Sequence, residues 1–117
     1  MNNRRQERLN SEIMKVVSTA LREIRDPNVS DMTTLTEASI TNDFSFCDLK
    51  FSVMGSEREK EKTIEALQNA EGFFKSHIAK NIRMRKIPEL RIKLDESIEY
   101  SSRINEILKG LDLEDED

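Results

Sequence analysis

The residues best equipped to do chemistry in this chain are cations. Between positions 75 and 93 stand seven bases, Lys75, Lys80, Arg83, Arg85, Lys86, Arg91 and Lys93, against one acid, Glu89. Like charges at this density repel one another, and a polyanion relieves that repulsion; a phosphate backbone does so while releasing its own counterions. The plain alternative is a solvated helix end, where basic side chains complement the helix dipole. Phe73 and Phe74 are the nearby aromatics, and Phe74 falls on an apolar stripe, so the pattern favours contacts to phosphate and shape over base stacking. A second basic patch is formed by Arg4, Arg5 and Arg8.

Other groupings carry less. Cys47 and His77 are the lone Cys and His, and a thiolate–imidazole pair needs them within hydrogen-bond reach. Cys47 lies in the apolar set of a strand and His77 beside the stripe of a helix, so both read as small or partly buried packing residues. One Cys and one His build no Cys/His zinc cluster, and one Cys makes no internal disulfide, which suits a reducing cytoplasm. Asp95-Glu96-Ser97 reads as the first turn of a helix, where negative charge meets the dipole. The acids Asp112, Glu114, Asp115, Glu116 and Asp117 read as a solvated, disordered tail rather than as an acid–base pair. Glycines at 55, 72 and 110 make no phosphate-binding loop. The expectation is a binding protein and not an enzyme, with no cofactor and no metal.

Charge and length bound the rest. A chain of 117 residues fits one domain, with 36% apolar and 36% charged residues giving a modest core under a charged surface. The net charge of −4 conceals the basic stretch, because five acids sit in the last six positions and the remainder is close to neutral. No apolar run is long enough to span a membrane, and no apolar region follows Arg4-Arg5 to make a secretory signal.

The elements that must position these cations follow from periodicity. Leu9, Ile13, Val16, Val17, Ala20, Leu21 and Ile24 form one stripe, predicting a helix over about residues 5 to 25, stopped by Asp26-Pro27. Thr34, Thr36, Ala38 and Ile40 alternate with Leu35, Glu37 and Ser39, and Cys47, Leu49, Phe51 and Val53 alternate with Asp48, Lys50 and Ser52. The turn residues Thr41-Asn42-Asp43 between these runs predict an antiparallel hairpin. Ser56 with Glu59 is a capping box opening a second helix, whose stripe is Ile64, Leu67, Ala70, Phe74, Ile78 and Ile82. Run unbroken from 57 to 87 it would be about 45 Å long, more than a small sheet needs. A kink is therefore expected at Gly72, with positive φ or close packing there, so that Gly72→Ala destabilises. Leu90, Ile92 and Leu94 alternate with Arg91 and Lys93 as a third strand. Ile98, Ile104, Ile107, Leu108 and Leu111 outline a last helix, with Gly110 near its stop. The expected fold is α+β, a small three-stranded sheet packed against helices in the order α-β-β-α-(kink)-α-β-α.

A resemblance spans about residues 4 to 108. It is carried by Arg25-Asp26-Pro27 with Val29, Asp43-Phe44-Ser45-Phe46, Phe51-Ser52-Val53-Met54-Gly55 and Ala70-Glu71-Gly72-Phe73. Arg83-Met84-Arg85, Pro88-Glu89-Leu90-Arg91, Asp95-Glu96-Ser97-Ile98, and Tyr100 with Arg103-Ile104 complete it. In order and spacing these pieces resemble the bacterial ribosome-binding factor A family. Asn42 stands where that family often has Pro, and Ser101 where Gly is common. The resemblance implies a KH-like (type II) domain in which Ala70-Glu71-Gly72 forms a helix kink in place of the usual glycine-rich loop. It also implies a non-enzymatic, cytoplasmic factor that binds the small ribosomal subunit and its rRNA during late maturation and supports growth in the cold. The partner set expected is that subunit and its rRNA, with no membrane and no small-molecule substrate, and the protein a monomer. The domain is expected over residues 1–111, the tail over 112–117. The RNA-binding residues expected first are Lys80, Arg83, Arg85 and Lys86, then Lys75, then Arg4, Arg5 and Arg8. The competing class is a protein-interaction module whose basic face meets an acidic protein partner.

Overall fold

The computed structural model describes residues 3–97. The expected last helix, Tyr100, Arg103 and the acidic tail lie outside them. Helix α1 (Asn3–Glu23) is followed by strands β1 (Thr33–Ile40) and β2 (Phe46–Val53), helices α2 (Glu57–Asn69) and α3 (Glu71–Asn81), and strand β3 (Glu89–Leu94). The sheet order is β1-β2-β3, antiparallel between β1 and β2 and parallel between β2 and β3. This is the α+β arrangement expected, over the described residues.

The three helices cover one face of the sheet. Leu9, Ile13, Val17 and Ala20 bury the α1 stripe against Leu35, Ala38 and Ile40 of β1 and Leu49 and Phe51 of β2. From α2 and α3 come Leu67, Phe74 and Ile78, with Phe74 tilted against Phe51 at 6.1 Å between ring centroids. Thr63 is fully buried; its Oγ1 accepts the Ser30 N–H at 3.1 Å and donates to the Asn28 carbonyl at 3.1 Å, tying the α1–β1 connection to α2.

Three expectations are corrected. The strict alternation of β1 fails, since Leu35 is buried along with Ala38 and Ile40. A bulge explains it: Leu35 pairs with Phe51 but Glu37 with Lys50, so Thr36 is an extra residue that resets which face points inward. Thr36 repays its place, with its Oγ1 3.1 Å from the Lys50 carbonyl and 2.5 Å from the Asp95 carboxylate.

The second helix is interrupted within the expected Ala70-Glu71-Gly72 stretch, but at Ala70 and not at Gly72. Ala70 has φ −92° and ψ 12°, outside the α-helical well, and it serves as the last cap of α2 and the first of α3. Gly72 lies inside α3 without positive φ, and a Cβ built there meets nothing within 4 Å. The conformational freedom of glycine is therefore not what bends the chain.

The helical run also ends at Asn81, well before Pro88. Ile82 is extended (φ −126°, ψ 130°) and buried, so the chain turns inward there, and the Asn81 amide donates to the His77 carbonyl at 2.8 Å. Pro88 forbids helix only at the residue before it, which bounds the helix without locating its end. The expected capping box is present: Ser56 Oγ accepts the Glu59 N–H at 3.2 Å and Glu59 accepts the Ser56 N–H at 3.2 Å.

Candidate nucleic-acid interface

Of the seven bases between 75 and 93, three are neutralised within the fold. Arg91 makes a two-pronged bond to Asp48 at 2.7 and 3.0 Å, and Lys93 lies 3.5 Å from the same carboxylate. Strand pairing sets this up, because Arg91 stands opposite Asp48 in the β2–β3 register. Burial opposes the Asp48 charge, but Arg91 and Lys93 outweigh it and hold the carboxyl below its usual range. Lys75 reaches Glu89 at 2.9 Å and Glu71 at 3.6 Å. The hydrogen bond to Glu89, foremost, raises the Lys75 pKa, and the same bond lowers that of Glu89.

The other four, Lys80, Arg83, Arg85 and Lys86, are exposed and have no ion-pair partner among the described residues. Lys80 sits in the last turn of α3; the other three occupy the connection to β3 that follows it, with Arg85 and Lys86 at its bend. Met84 and Ile87 alternate with them and pack partly against the core, which anchors the segment while its cations point out.

The structure brings the second basic patch to this one. Gln6 on α1 donates to the Ile40 carbonyl at 3.3 Å and to Asn42 Oδ1 at 3.0 Å, and Asn10 Oδ1 accepts the Ile40 N–H at 2.8 Å. These bonds fasten the start of α1 to the β1–β2 turn. A groove of about 770 Å³ results, with Arg5 and Arg8 on one wall, the turn residues Asp43, Phe44 and Ser45 at one end, and residues 81–86 on the other wall. Five cations thus line it against two acids, Glu12 and Asp43. Glu12 pairs loosely with Arg8 at 3.5 Å, both side chains well exposed. Such a pair is worth little and gives way to a stronger anion. Asp43 is turned to its own loop: the Ser45 N–H, foremost, then Thr41 and Ser45 side chains hold its pKa low. Arg4 is exposed, and neither it nor Lys80 or Lys75 lines the groove.

Phe44 was not foreseen. It is the one non-glycine residue with positive φ, 61°, among the described residues, and the Arg5 guanidinium lies 5.2 Å from its ring centre. Its neighbours Thr41, Asn42 and Asp43 were readable as a turn, and Asp43-Phe44-Ser45-Phe46 carried part of the resemblance, but nothing in spacing alone puts that ring beside Arg5.

Cys47 and His77 do not form a reactive pair in the fold. Cys47 is fully buried, and burial chiefly pushes its thiol up to about 12. His77 Nε2 instead lies 3.0 Å from the Glu23 carboxylate at the end of α1, its ring 4.6 Å from that of Phe73.

Known proteins share this architecture. The family model described as ribosome-binding factor A matches residues 5–108. The ribosome-binding factor A of Dictyoglomus thermophilum is 41% identical over 113 residues, covering 96% of this chain and 94% of that protein. The solution structure of a Thermotoga maritima protein assigned as a ribosome binding factor A superposes with a TM-score of 0.70 at 37% identity, over 75% of this chain and 84% of that one. Thermus thermophilus ribosome binding factor A, in coordinates fitted into a cryo-electron microscopy map of a 30S complex, matches with a TM-score of 0.63 at 20% identity. It covers 74% of this chain and 91% of that one, and shows the shared fold.

Proposed function

This chain belongs to the ribosome-binding factor A family, and on that premise we propose that it binds the small ribosomal subunit during late maturation of its 16S rRNA. The contact runs through the groove between α1 and residues 81–86, whose cations neutralise rRNA phosphates. The observation that carries this reading is the sorting of charges. Among the described residues Arg83, Arg85 and Lys86 have no ion-pair partner and stand beside Arg5 and Arg8, although carboxylates elsewhere in the fold neutralise Lys75, Arg91 and Lys93. Self-repulsion among unpaired cations is a cost that a phosphate backbone removes. The Thermus relative was fitted into a map of its complex with the 30S subunit, which accords with the partner proposed.

The same reading makes the protein a binding factor and not an enzyme, a monomer in the cytoplasm, with no small-molecule substrate and no cofactor. No helix among the described residues is long and apolar enough to cross a membrane. The proposed domain spans residues 1–111, ahead of the acidic run at 112–117, and its work on the subunit supports growth in the cold.

The test is co-sedimentation with purified small subunits. Arg83→Glu with Arg85→Glu should weaken binding strongly and leave the melting temperature little changed, since both side chains are exposed and have no ion-pair partner among the described residues. Log affinity of the parent for rRNA should fall against log salt by about 0.7 to 0.9 per phosphate neutralised. Unchanged co-sedimentation of the double variant overturns the reading. Equal displacement by an acidic protein and by rRNA would instead support a protein partner.

A further inference from the structure

Phe44 is in an expensive conformation. A bulky residue at φ 61° carries strain that glycine or asparagine would largely avoid. Turn geometry therefore does not account for a phenyl ring here, and strain of this kind is held where something else uses the side chain. The turn is over-determined by its own bonds: Phe44 N–H donates to the Thr41 carbonyl at 2.9 Å, Ser45 N–H to Asp43 at 3.1 Å, and Thr41 N–H to the Phe46 carbonyl at 2.8 Å. These bonds fix the ring's position at the end of the basic groove, half-buried against the core with one side to the lining.

The cation above it differs from the other arginine–phenylalanine contact of the fold. Arg91 lies 4.7 Å from the Phe46 ring centre, but Asp48 holds its guanidinium from both prongs. Arg5 over Phe44 is exposed and has no carboxylate partner among the described residues, so no carboxylate among them competes with a ligand for its donors. A guanidinium within cation–π range of an aromatic ring gives, with that ring, a surface on which a nucleobase stacks. Ser45 and Asn81 add polar atoms to the same lining, and about 770 Å³ lies within the range of small-ligand clefts.

We infer that the groove takes an unpaired RNA nucleotide, its base stacked on the Arg5–Phe44 pair and its flanking phosphates on Arg8, Arg83 and Arg85. This rests on the RNA reading of the groove proposed above and adds to it. A groove that uses phosphates alone accepts duplex and single strand alike. One that stacks a base requires that base to be out of its helix, so the target is a loop, a bulge or a strand end.

The experiment uses the full chain and ten-residue oligouridylates at low salt, one carrying a central 2-aminopurine and one a central abasic site. The parent should quench the 2-aminopurine on binding and should bind the abasic oligonucleotide about 5- to 100-fold more weakly than its intact counterpart. Phe44→Leu should erase both effects. Phe44→Gly serves as the second variant, since glycine accepts the positive φ and removes ring and strain together. Equal affinity of the parent for intact and abasic strands, or discrimination that survives in both Phe44 variants, overturns the nucleotide site. The double variant Arg83→Glu, Arg85→Glu separates the two levels. If it loses affinity for both strands while the parent fails to discriminate, stacking falls and the phosphate reading stands; if it loses none, the phosphate reading falls as well. No binding of either strand by the parent overturns both.

Discussion

The Glu71 carboxylate accepts the Leu90 backbone N–H at 3.2 Å, and on the other side of the Ala70 break the Gln68 amide donates to the Ile92 carbonyl at 3.1 Å. β3 is an outer strand. The backbone N–H groups of Glu89 and Asp95 donate inward, to the Ser45 and Phe51 carbonyls, so Leu90 and Ile92 aim their backbone groups away from β2. An open strand edge is a template for unwanted pairing, and the interrupted helix covers this one with its side chains. Gln6 and Asn10 serve β1 in the same way at Ile40.

Glu71→Ala strands the Leu90 N–H in a part-buried position and should lower stability by about 1–2 kcal/mol. Glu71→Gln keeps an acceptor and should lose less. Urea melts of the two variants beside the parent decide the matter. Equal losses would mean that Glu71 acts through its charge on Lys75 and not through the strand edge.

Gly72→Ala should stabilise the protein, by a few tenths to about 1 kcal/mol, because its backbone is helical and the space for a methyl group is open. Subunit binding should be unchanged. This reverses the expectation drawn from sequence, where the bend was assigned to the glycine. A destabilised variant in a urea melt would show a close approach at Gly72 that the fold does not contain.

Much of the fold is legible in the sequence because local rules decide it. The spacing of Leu9, Ile13, Val17 and Ala20 dictates the buried face of α1, and Ser56 with Glu59 marks the start of α2 to the residue. What was not legible depends on partners distant in the chain. The bulge at Thr36 leaves no clear trace in the sequence, because up to that position either phase places a β-branched or apolar residue inside. The end of α3 follows from Ile82 turning into the core, and Pro88 sets only an outer bound on it. Within the candidate site the cations themselves were readable. Their sorting was not: Arg91 is paired because the β2–β3 register puts it opposite Asp48, and Arg5 shares a groove with Arg85 because Gln6 and Asn10 hold α1 to the end of β1.

Lys75 provides a contrast with the groove. Its ammonium is held by Glu89 and Glu71, and it does not line the cleft. Lys75→Ala should therefore leave the salt dependence of rRNA binding as it is, whereas Arg83→Ala should reduce the slope by about 0.7, one phosphate's worth. The same ion pairs give Lys75→Ala a small loss of stability. A slope reduced equally in both variants would show that Lys75 leaves its carboxylates to meet RNA.

The last prediction concerns Cys47, whose thiol burial pushes up to about 12 from an ordinary 9.0. In the folded protein the thiol stays protonated well into alkaline solution, while in the unfolded chain it ionises near 9. Below pH 9 both states carry the proton and the thiol contributes nothing to the pH dependence. Between pH 9 and 12 the unfolded state binds fewer protons, so stability falls as pH rises, with a slope of up to about 1.4 kcal/mol per pH unit. The window from 9 to 10 is the cleanest, since it lies below the range where Lys75, itself raised above 10.5, begins to titrate. Urea melts across that window should show the slope in the parent and a flatter dependence in Cys47→Ala. Native-state labelling at pH 8 with a thiol reagent should be slow and should accelerate with urea in step with unfolding. Rapid labelling without urea would mean an accessible thiolate, and would reopen the pairing of Cys47 with His77 that the fold sets aside by seating His77 against Glu23.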